Sequence, residues 1–387
     1  MVLMGIFIDS VVELLMYANL AMFNILGQYF YMRGFSPFEV GILVAMIPAA
    51  SFVSNPFWFR MKEKLPRTRL IAILTIGTVV GFWSLFFVRP FLLNLVLMAF
   101  TAFFSGAVVP IGESYVMESL IRKQKKLDLP RMFGTIGYSM GSLMIGFLLK
   151  IDVVFLFAFS TLFLVLVSFL IRRLDQIALV SEGRSAASLP RTGSWNAFLW
   201  YLVLASASIL LISFNGAFLP QLIGQRGYDP ALTGICFAVL SFSEVPFLLF
   251  AKKILRKMGT LLLLATGVLC ISLRMFLTPF TNSELALVLV QAMHGWSYIV
   301  IYYALFDYIH YELPIAYASK AQAVFWIGIQ GLSFFLGSSL GGLLVEGIGL
   351  DRTYLLLSIG LFCVAAPLTV VAVVKRFKGS GMKRKTA

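Results

Sequence analysis

Two oppositely charged side chains stand eighteen residues apart, each at the edge of a long apolar segment. Glu113 follows an uncharged run from Phe91 to Val109, and Arg131 precedes a second apolar run that contains Tyr138. A carboxylate and a guanidinium form strong charge-assisted hydrogen bonds, either with each other or with a bound polar molecule. A plain salt bridge at the end of a helix would use the same residues. The spacing alone therefore leaves both interpretations open.

Polar side chains also gather on single faces of several apolar segments. At 100° per residue, the stripes of the first and fifth segments consist of Asp9, Glu13, Tyr17, Asn24, Gln28 and Tyr31, and of Arg131, Thr135, Tyr138 and Ser142. Those of the tenth and eleventh consist of Glu284, Gln291, His294, Tyr298 and Tyr302, and of Gln322, Trp326, Gln330 and Ser333. Hydrogen bonds between helices explain isolated hydroxyl groups, whereas stripes of amides, aromatic rings and charges favour a water-filled cavity.

Other kinds of chemistry leave no pattern in the sequence. It contains no P-loop, metal-ligand cluster or nucleophile–base constellation, so we predict neither an enzyme nor a cofactor. Two groups of glycines have the spacing of close helix contacts: Gly134, Gly137 and Gly141, and Gly337, Gly341 and Gly342. The cysteines lie in apolar runs and are predicted to be free thiols: Cys236, Cys270 and Cys363.

The elements that must position these residues are membrane-spanning helices. Charged residues make up 12% of the 387 residues, whereas soluble domains carry about a quarter. A spanning helix needs roughly 20 apolar residues. Twelve such helices are predicted at 6–32, 38–59, 70–88, 91–112, 132–149, 153–171, 197–220, 231–251, 260–279, 284–309, 319–345 and 353–374. The fold class is therefore an all-α integral membrane protein.

The longest polar stretch divides the twelve predicted helices into two sets of six. We predict an N-terminal six-helix bundle over 1–172, a cytoplasmic linker over 173–195, a C-terminal six-helix bundle over 196–374 and a basic cytoplasmic tail over 375–387. Neither a basic segment nor a small-residue cleavage site flanks the first apolar run, so the first helix is predicted to act as its own insertion signal.

The basic residues indicate the orientation of the chain in the membrane. If the N-terminus lies inside, 25 of the 31 Lys and Arg residues fall in cytoplasmic loops or the tail. This bias predicts that both termini are cytoplasmic. It also explains the net charge of +14 as a topology signal and a contact for anionic lipid headgroups, and argues against nucleic acid as a partner.

Two motifs recur in the second half of the chain. RGFSPFEVGI at 33–42 returns as RGYDPALTGI at 226–235, and NPFWFRMKEK at 55–64 is echoed by VPFLLFAKKI at 245–254. Ser36 and Asp229 each precede a proline and are good helix caps, which is the simplest role for them. The recurrence at one place in each half predicts two pseudo-symmetric bundles. Such a duplication is typical of transporters that bind solute between the halves near mid-membrane.

The chain resembles the major facilitator superfamily over nearly all twelve helices, most closely the branch with lactose permease, the phenylpropionate permeases and related nucleoside and sugar proton symporters. GESYVMES followed by RMFGTIGY is similar to the pattern in which a carboxylate and an arginine eighteen residues later bind substrate. The resemblance implies this role for Glu113 and Arg131, and stacking on the substrate for Tyr138. SEVPFLLFAKKILRKMG (243–259) and QAMHGWSYIVIYYALFDYI (291–309) resemble further signatures, and Arg274 and His294 match the family's arginine and histidine on helices nine and ten.

The sequence departs from lactose permease at its charged positions. Ser297 stands where that permease has its proton-carrying glutamate. Neutral side chains replace two lysines and one aspartate: Gln291, Gln330 and Asn215. The proton site would then be Glu244, with Glu113, Asp9 and Glu13 as other candidates. A carboxyl group in a dry cavity can titrate in the physiological range.

The cytoplasmic loop FRMKEKLPRTR resembles a degraded form of the superfamily motif between helices two and three. We expect Glu63, Lys64 and Arg69 to act as a gating loop that latches the halves without touching substrate. The next cytoplasmic loop is predicted to present a solvated face that consists of Glu118, Lys123, Lys125 and Lys126.

These observations predict a monomeric alternating-access carrier in the cytoplasmic (inner) membrane. It would couple proton entry to uptake of a small organic solute, with a sugar or oligosaccharide first and helices 1, 4, 5, 7, 8, 10 and 11 lining the cavity. The predicted substrate-binding residues are Glu113, Arg131, Tyr138, Asn24, Gln28, Asn215, Gln291, Tyr298, Trp326 and Gln330. The predicted proton-coupling residues are Glu244, Arg274 and His294.

Several alternatives remain open from the sequence. The solute could be an aromatic carboxylate or a nucleoside, and the neutral Ser297 is compatible with an uncoupled facilitator or an exporter. A membrane-embedded enzyme lacks a catalytic constellation. A scaffold would leave the polar stripes without a purpose.

Overall fold

The structure is a computed structural model that describes residues 6–125, 128–174 and 193–385. The described residues are predominantly helical and contain no strand, which confirms the all-α fold class. Most of the predicted linker over 173–195 and the last two residues of the predicted tail lie outside the described residues.

The helices are numbered along the chain. The first seven are α1 (Phe7–Asn24), α2 (Leu26–Met32), α3 (Pro37–Lys64), α4 (Arg67–Phe87), α5 (Phe91–Arg122), α6 (Asp128–Leu148) and α7 (Val154–Ile171). The next nine are α8 (Trp195–Gln225), α9 (Ala231–Phe242), α10 (Val245–Met258), α11 (Thr260–Leu277), α12 (Glu284–Ala292), α13 (Tyr298–Asp307), α14 (Ile315–Trp326), α15 (Ser333–Ile348) and α16 (Leu350–Lys385).

Eleven stretches of the described chain are long and apolar enough to cross a membrane. They correspond to eleven of the twelve predicted helices, and several of the observed helices extend beyond the predicted bounds. The remaining predicted helix, 132–149, is helical as α6 but is not one of the eleven. Its apolar residues are interrupted by a polar stripe and several glycines, which lower its hydropathy.

Two stretches of the second half are broken near their middle. α9 ends at Phe242 and α10 begins at Val245, because Pro246 lacks the N–H that a continuous helix would use. α12 and α13 are separated by a 3₁₀ turn, Met293–Trp296. Discontinuous membrane helices expose backbone groups, and these are tolerated where the backbone is buried in protein or lines a cavity.

The described chain falls into two compact units. Unit 1 comprises Met1–Ala186, Gly216–Ala238 and Ser338–Leu343, and unit 2 comprises Ala187–Asn215, Val239–Gly337 and Leu344–Ala387. Unit 1 thus contains α1 to α7 and two segments from later in the sequence. The apolar core of unit 1 is built from α1, α4, α5 and α7, with Met16, Ile111 and Ile171 fully buried.

Glycines bring α1 and α6 of unit 1 into direct backbone contact. A Cβ atom at Gly141 would lie 2.8 Å from the carbonyl oxygen of Ala18, and one at Gly137 would collide with the carbonyl of Leu14. The close-contact interpretation of these glycines is therefore confirmed. This approach places the polar stripes of α1 and α6 beside each other.

The duplicated motifs cap helices in both copies. Ser36 accepts a hydrogen bond from the N–H of Glu39 at 3.3 Å, and the Glu39 carboxylate accepts one from the N–H of Ser36 at 2.8 Å. In the second copy, the Asp229 carboxylate accepts a hydrogen bond from the N–H of Ala231 at 2.9 Å. It also forms an ion pair with the Lys150 ammonium at 2.5 Å. The capping role predicted for Ser36 and Asp229 is confirmed.

Unit 2 is built around α11, which packs against α13 and α16. Small residues again allow close helix approach. A Cβ atom at Gly337 would collide with the carbonyl of Leu210, and the hydroxyl of Ser213 donates to the carbonyl of Phe334 at 2.7 Å. These contacts join α8 to α15 within unit 2.

Candidate functional site

Unit 1 contains a cluster of three polar side chains, Tyr17, Glu113 and Arg131, which we call the Arg131 cluster. The Nη1 atom of Arg131 contacts both the Glu113 carboxylate and the Tyr17 hydroxyl, and this hydroxyl donates to Glu113 Oε1 at 2.6 Å. The Arg131 side chain is 51% exposed and that of Glu113 33% exposed. The structure thus brings the predicted pair together at an accessible position.

The third member of the cluster, Tyr17, was not among the predicted binding residues. The Arg131 guanidinium carbon lies 4.6 Å from the Tyr17 ring centroid, so the ring also makes a cation–π contact. Gly134, one turn after Arg131, makes room for this ring, because a Cβ there would lie 2.9 Å from Tyr17 Cδ2. The polar stripe of the first helix contained Tyr17 and was the signal that pointed to it.

A second polar contact lies on the same two helices. The amide of Asn24 donates a 2.8 Å hydrogen bond to the Tyr138 hydroxyl. Tyr138 follows Arg131 by two helical turns and therefore shares its face of α6. Asn24 is exposed and Tyr138 is half-buried, so both keep polar atoms near the surface of unit 1.

Unit 2 contains a row of three ionisable side chains, Glu244, His294 and Arg274, which we call the Glu244 triad. Arg274 Nη1 lies 2.5 Å from His294 Nδ1, and His294 Nε2 lies 3.2 Å from Glu244 Oε1. A guanidinium only donates hydrogen bonds, so Nδ1 must accept and Nε2 must carry the imidazole hydrogen. The contacts therefore describe a neutral imidazole between a cation and a carboxylate.

The two helix breaks of the second half make this triad possible. Glu244 lies in the break between α9 and α10, and His294 lies in the 3₁₀ turn between α12 and α13. Gly295 brings the breaks together, because a Cβ atom there would collide with the carbonyl of Ser243. All three predicted proton-coupling residues are thus placed in one group, and Arg274 within it is fully buried.

Aromatic rings continue from His294 along α13. His294 and Tyr298 are stacked with ring centroids 5.6 Å apart, and Tyr302 lies 6.2 Å from the ring of Trp326. The amide of Gln330 donates to the Tyr298 hydroxyl at 3.1 Å. Gln330 belongs to a π-helical turn, Ile327–Leu332, a feature often found at functional sites. The predicted residues Tyr298, Trp326 and Gln330 therefore lie together, and Trp326 is 43% exposed.

Two other predicted binding residues take part in a buried network. Asn215 donates to Gln291 at 3.1 Å and accepts from the Tyr354 hydroxyl at 3.0 Å, and Gln291 donates to Thr278 at 3.3 Å. Asn215 is 1% exposed and Gln291 is fully buried. Their amides join helices within unit 2 and are not exposed for binding in this state.

Gln28 is also separate from the Arg131 cluster. It is buried, and its amide nitrogen donates to the carbonyl of Pro230 at 3.0 Å. It connects α2 to the second copy of the duplicated motif within unit 1.

The predicted gating residues Glu63, Lys64 and Arg69 are exposed. Their neighbours make the contacts of this loop. Lys62 forms an ion pair with Glu118 and donates to Ser114 at 2.6 Å. The prediction of a solvated Glu118 was wrong, because its side chain is only 12% exposed.

Arg67 makes the second contact of this loop, donating to the carbonyl of Leu174 at 2.7 Å. The prediction of a solvated Lys123 was also wrong, because its ammonium group pairs with the buried carboxylate of Asp9 at 2.6 Å. These bonds connect the loop ends of unit 1 to each other.

Comparison with known proteins identifies relatives over almost the whole chain. The profile of the MFS_1 like family matches residues 9–356. Maltose permease of Geobacillus stearothermophilus is 23% identical over 380 residues, which cover 96% of this chain and 95% of the permease. The probable 3-phenylpropionic acid transporter of Escherichia coli (strain K12) is 24% identical over 330 residues, which cover 82% of this chain and 84% of that transporter.

Solved structures with the same fold include a mutant of the nucleoside transporter NupG. It superimposes with a TM-score of 0.81 and 13% identity, covering 95% of this chain and 99% of that one. At this identity the similarity concerns the fold alone.

Proposed function

Because the chain belongs to the MFS_1 like family and its relatives include transporters, we propose that it carries a neutral, hydroxyl-rich solute, a sugar or oligosaccharide, by proton symport. The observation that carries the proposal is the pairing of Arg131 with Glu113 beside Tyr17. The maltose permease and the probable 3-phenylpropionic acid transporter among its relatives support the assignment to solute carriers.

The charges of the Arg131 cluster favour a neutral solute. The Arg131 guanidinium already has a carboxylate partner in Glu113, so a charged solute would have to displace one of them. Sugar hydroxyls both donate and accept hydrogen bonds and therefore suit a carboxylate and a guanidinium side by side. Asn24 and Tyr138 add two more polar groups on the same helices, and Tyr17 adds an aromatic ring.

The Glu244 triad supports coupling to protons. His294 accepts from Arg274, so protonation of its Nδ1 would place two cations against each other in a buried site. The proton is therefore taken by Glu244, whose carboxylate faces His294 Nε2. A protonated Glu244 loses its attraction for the Arg274–His294 pair, which provides two states whose energies depend on the proton.

We also propose the oligomeric state, the orientation in the membrane and the transport cycle. The chain works as a monomer in the cytoplasmic membrane, with both termini inside and anionic lipids against its basic loops. Transport proceeds by alternating access, as the duplicated halves indicate.

The test is proton uptake by de-energised proteoliposomes to which maltose, 3-phenylpropionate or uridine is added. We expect the medium to become alkaline when maltose is added, and not when 3-phenylpropionate or uridine is added. Maltose flux without a pH change would contradict proton coupling. A pH change with 3-phenylpropionate alone would replace the sugar by an aromatic carboxylate.

The aromatic carboxylate is the second candidate because of the exposure of Arg131. Half of this side chain is accessible, and a solute carboxylate could bind the guanidinium in competition with Glu113. An aromatic ring on the solute would then stack on Tyr17 or Tyr138.

A further inference from the structure

Glu13 has a carboxyl group that takes no part in the ion pairs described above. It lies on α1, one turn before Tyr17 and one turn after Asp9. Its side chain is fully buried, and neither carboxylate oxygen has a hydrogen-bond partner among the described residues.

Asp9 provides a comparison on the same helix. It is buried to the same degree, but its carboxylate pairs with the Lys123 ammonium at 2.6 Å. A buried carboxylate without a cation or a hydrogen-bond donor is so costly that the group binds a proton instead. Of the two acids, Asp9 thus has a cationic partner, whereas Glu13 has none among the described residues.

The titratable groups around Glu13 lie on α1 itself and on two of the helices that pack on it. Asp9 and Tyr17 belong to α1 itself, Glu113 to α5 and Arg131 to α6. α7 also packs on α1 and contains no ionisable residue. Among the described residues, the cation that acts on Glu13 is Arg131, and it is already bound to Glu113 and Tyr17. An ionised Glu13 would place two carboxylates beside one guanidinium.

We propose that Glu13 is a proton-binding group beside the solute site, which holds its proton while Arg131 is paired with Glu113. This inference rests on the proposed function, since it gives the Arg131 cluster its own proton site in addition to the Glu244 triad. When Glu13 releases its proton to water, its carboxylate competes with Glu113 for Arg131. The arrangement of the cluster, and with it the affinity for solute, then changes.

The protonation state can be measured without any solute. Infrared spectra of the purified protein in an ester-free detergent report the carbonyl band of a protonated carboxylic acid. We expect such a band at neutral pH in the wild type and in Asp9→Asn, and its loss in Glu13→Gln. A wild-type spectrum without the band, or an undiminished band in Glu13→Gln, would overturn the proposal.

A second measurement covers the case in which Glu13→Gln does not fold. In the Glu244→Gln variant the band should remain. When the glutamate side chains of this variant are labelled with ¹³C, the band should shift in frequency, because the protonated group is a glutamate. A band that disappears in Glu244→Gln would assign the proton to that residue and refute the role of Glu13.

The link to solute is tested with maltose as the probe. Affinity should fall about tenfold or more as pH rises in the wild type and stay constant in Glu13→Gln, while the exposed Glu346→Gln behaves like the wild type. A pH dependence that persists in Glu13→Gln would contradict the link. If maltose is not bound at all, the sugar assignment fails, whereas the infrared result still decides the state of Glu13.

Discussion

The Nε2 atom of His294 lies 3.2 Å from Oε1 of Glu244, although the two residues belong to different, interrupted stretches of helix. Each residue lies where an α-helix is interrupted: Glu244 between α9 and α10, and His294 in the 3₁₀ turn between α12 and α13. The contact exists because Gly295 lets the two breaks touch. Glu244 thereby gains a partner that responds to its charge.

Replacing Glu244 by Gln should uncouple transport from protons. The amide cannot ionise, so proton-driven accumulation of the solute should be abolished while exchange of solute across the membrane persists. The measurement is accumulation and counterflow of radiolabelled maltose in proteoliposomes. Glu346→Gln, an exposed carboxylate of unit 2, is the control and should accumulate normally. Wild-type accumulation by Glu244→Gln would refute its role.

Gly295→Ala should separate Glu244 from His294. The added methyl group would collide with the Ser243 carbonyl, and such overpacking costs roughly 1–3 kcal/mol. We expect lower thermal stability together with reduced proton coupling. Gly347→Ala is the matched control, since nothing lies within 4 Å of a Cβ atom at that position. Equal effects of the two substitutions would contradict the packing argument.

Arg131→Lys should weaken solute binding more than it weakens the fold. Lysine keeps the charge but lacks the guanidinium group, whose Nη1 contacts both Glu113 and Tyr17 and whose carbon lies over the Tyr17 ring. Loss of one charge-assisted hydrogen bond, about 1.5–3 kcal/mol, corresponds to roughly 10- to 150-fold in affinity. Equilibrium binding of the transported solute measures this effect. Arg89→Lys, at an exposed loop position, should leave affinity unchanged.

Asn215→Ala should reduce stability and leave solute affinity nearly intact. The substitution leaves Gln291 and Tyr354 without their buried partner, at a cost of about 1–3 kcal/mol. Thermal unfolding and solute binding are measured on the same preparation. The exposed Asn196→Ala serves as the control. A large loss of affinity at unchanged stability would instead give Asn215 a direct role in binding.

The Lys150–Asp229 pair should stabilise the protein only above acidic pH. The hydrogen bond from Lys150 holds the pKa of the Asp229 carboxyl below its ordinary value, and the N–H of Ala231 adds to this effect. A lowered pKa in the folded state contributes stability above the unfolded-state pKa, and this contribution is lost as pH falls through the folded-state pKa.

The Asp229→Asn variant should therefore melt at a slightly lower temperature than the wild type at neutral pH, with the difference vanishing in acid. The effect is small because both side chains are more than a third exposed and solvent screens them. A difference in melting temperature that is independent of pH would contradict an electrostatic origin.

Local features of the chain could be predicted from the sequence because they depend on neighbouring residues. Hydropathy located the apolar helices, and eleven of twelve satisfy the length and hydropathy of a membrane span. The cap at Ser36 followed from the side-chain acceptor and the proline after it. The Glu113–Arg131 pair was predicted from its spacing and the family resemblance, and the structure places the two side chains in contact.

Contacts between distant helices were decided only by the tertiary structure. Periodicity shows which residues share a helix face but not which helix that face meets. The contact between Tyr17 and Arg131 therefore depends on the tertiary structure, in which the glycines of α6 pack against α1. For the same reason Asn215 and Gln291, polar in sequence, are buried in a closed network. Glu13 and Asp9 share one face and full burial, and only the tertiary structure shows that the Lys123 ammonium lies against Asp9.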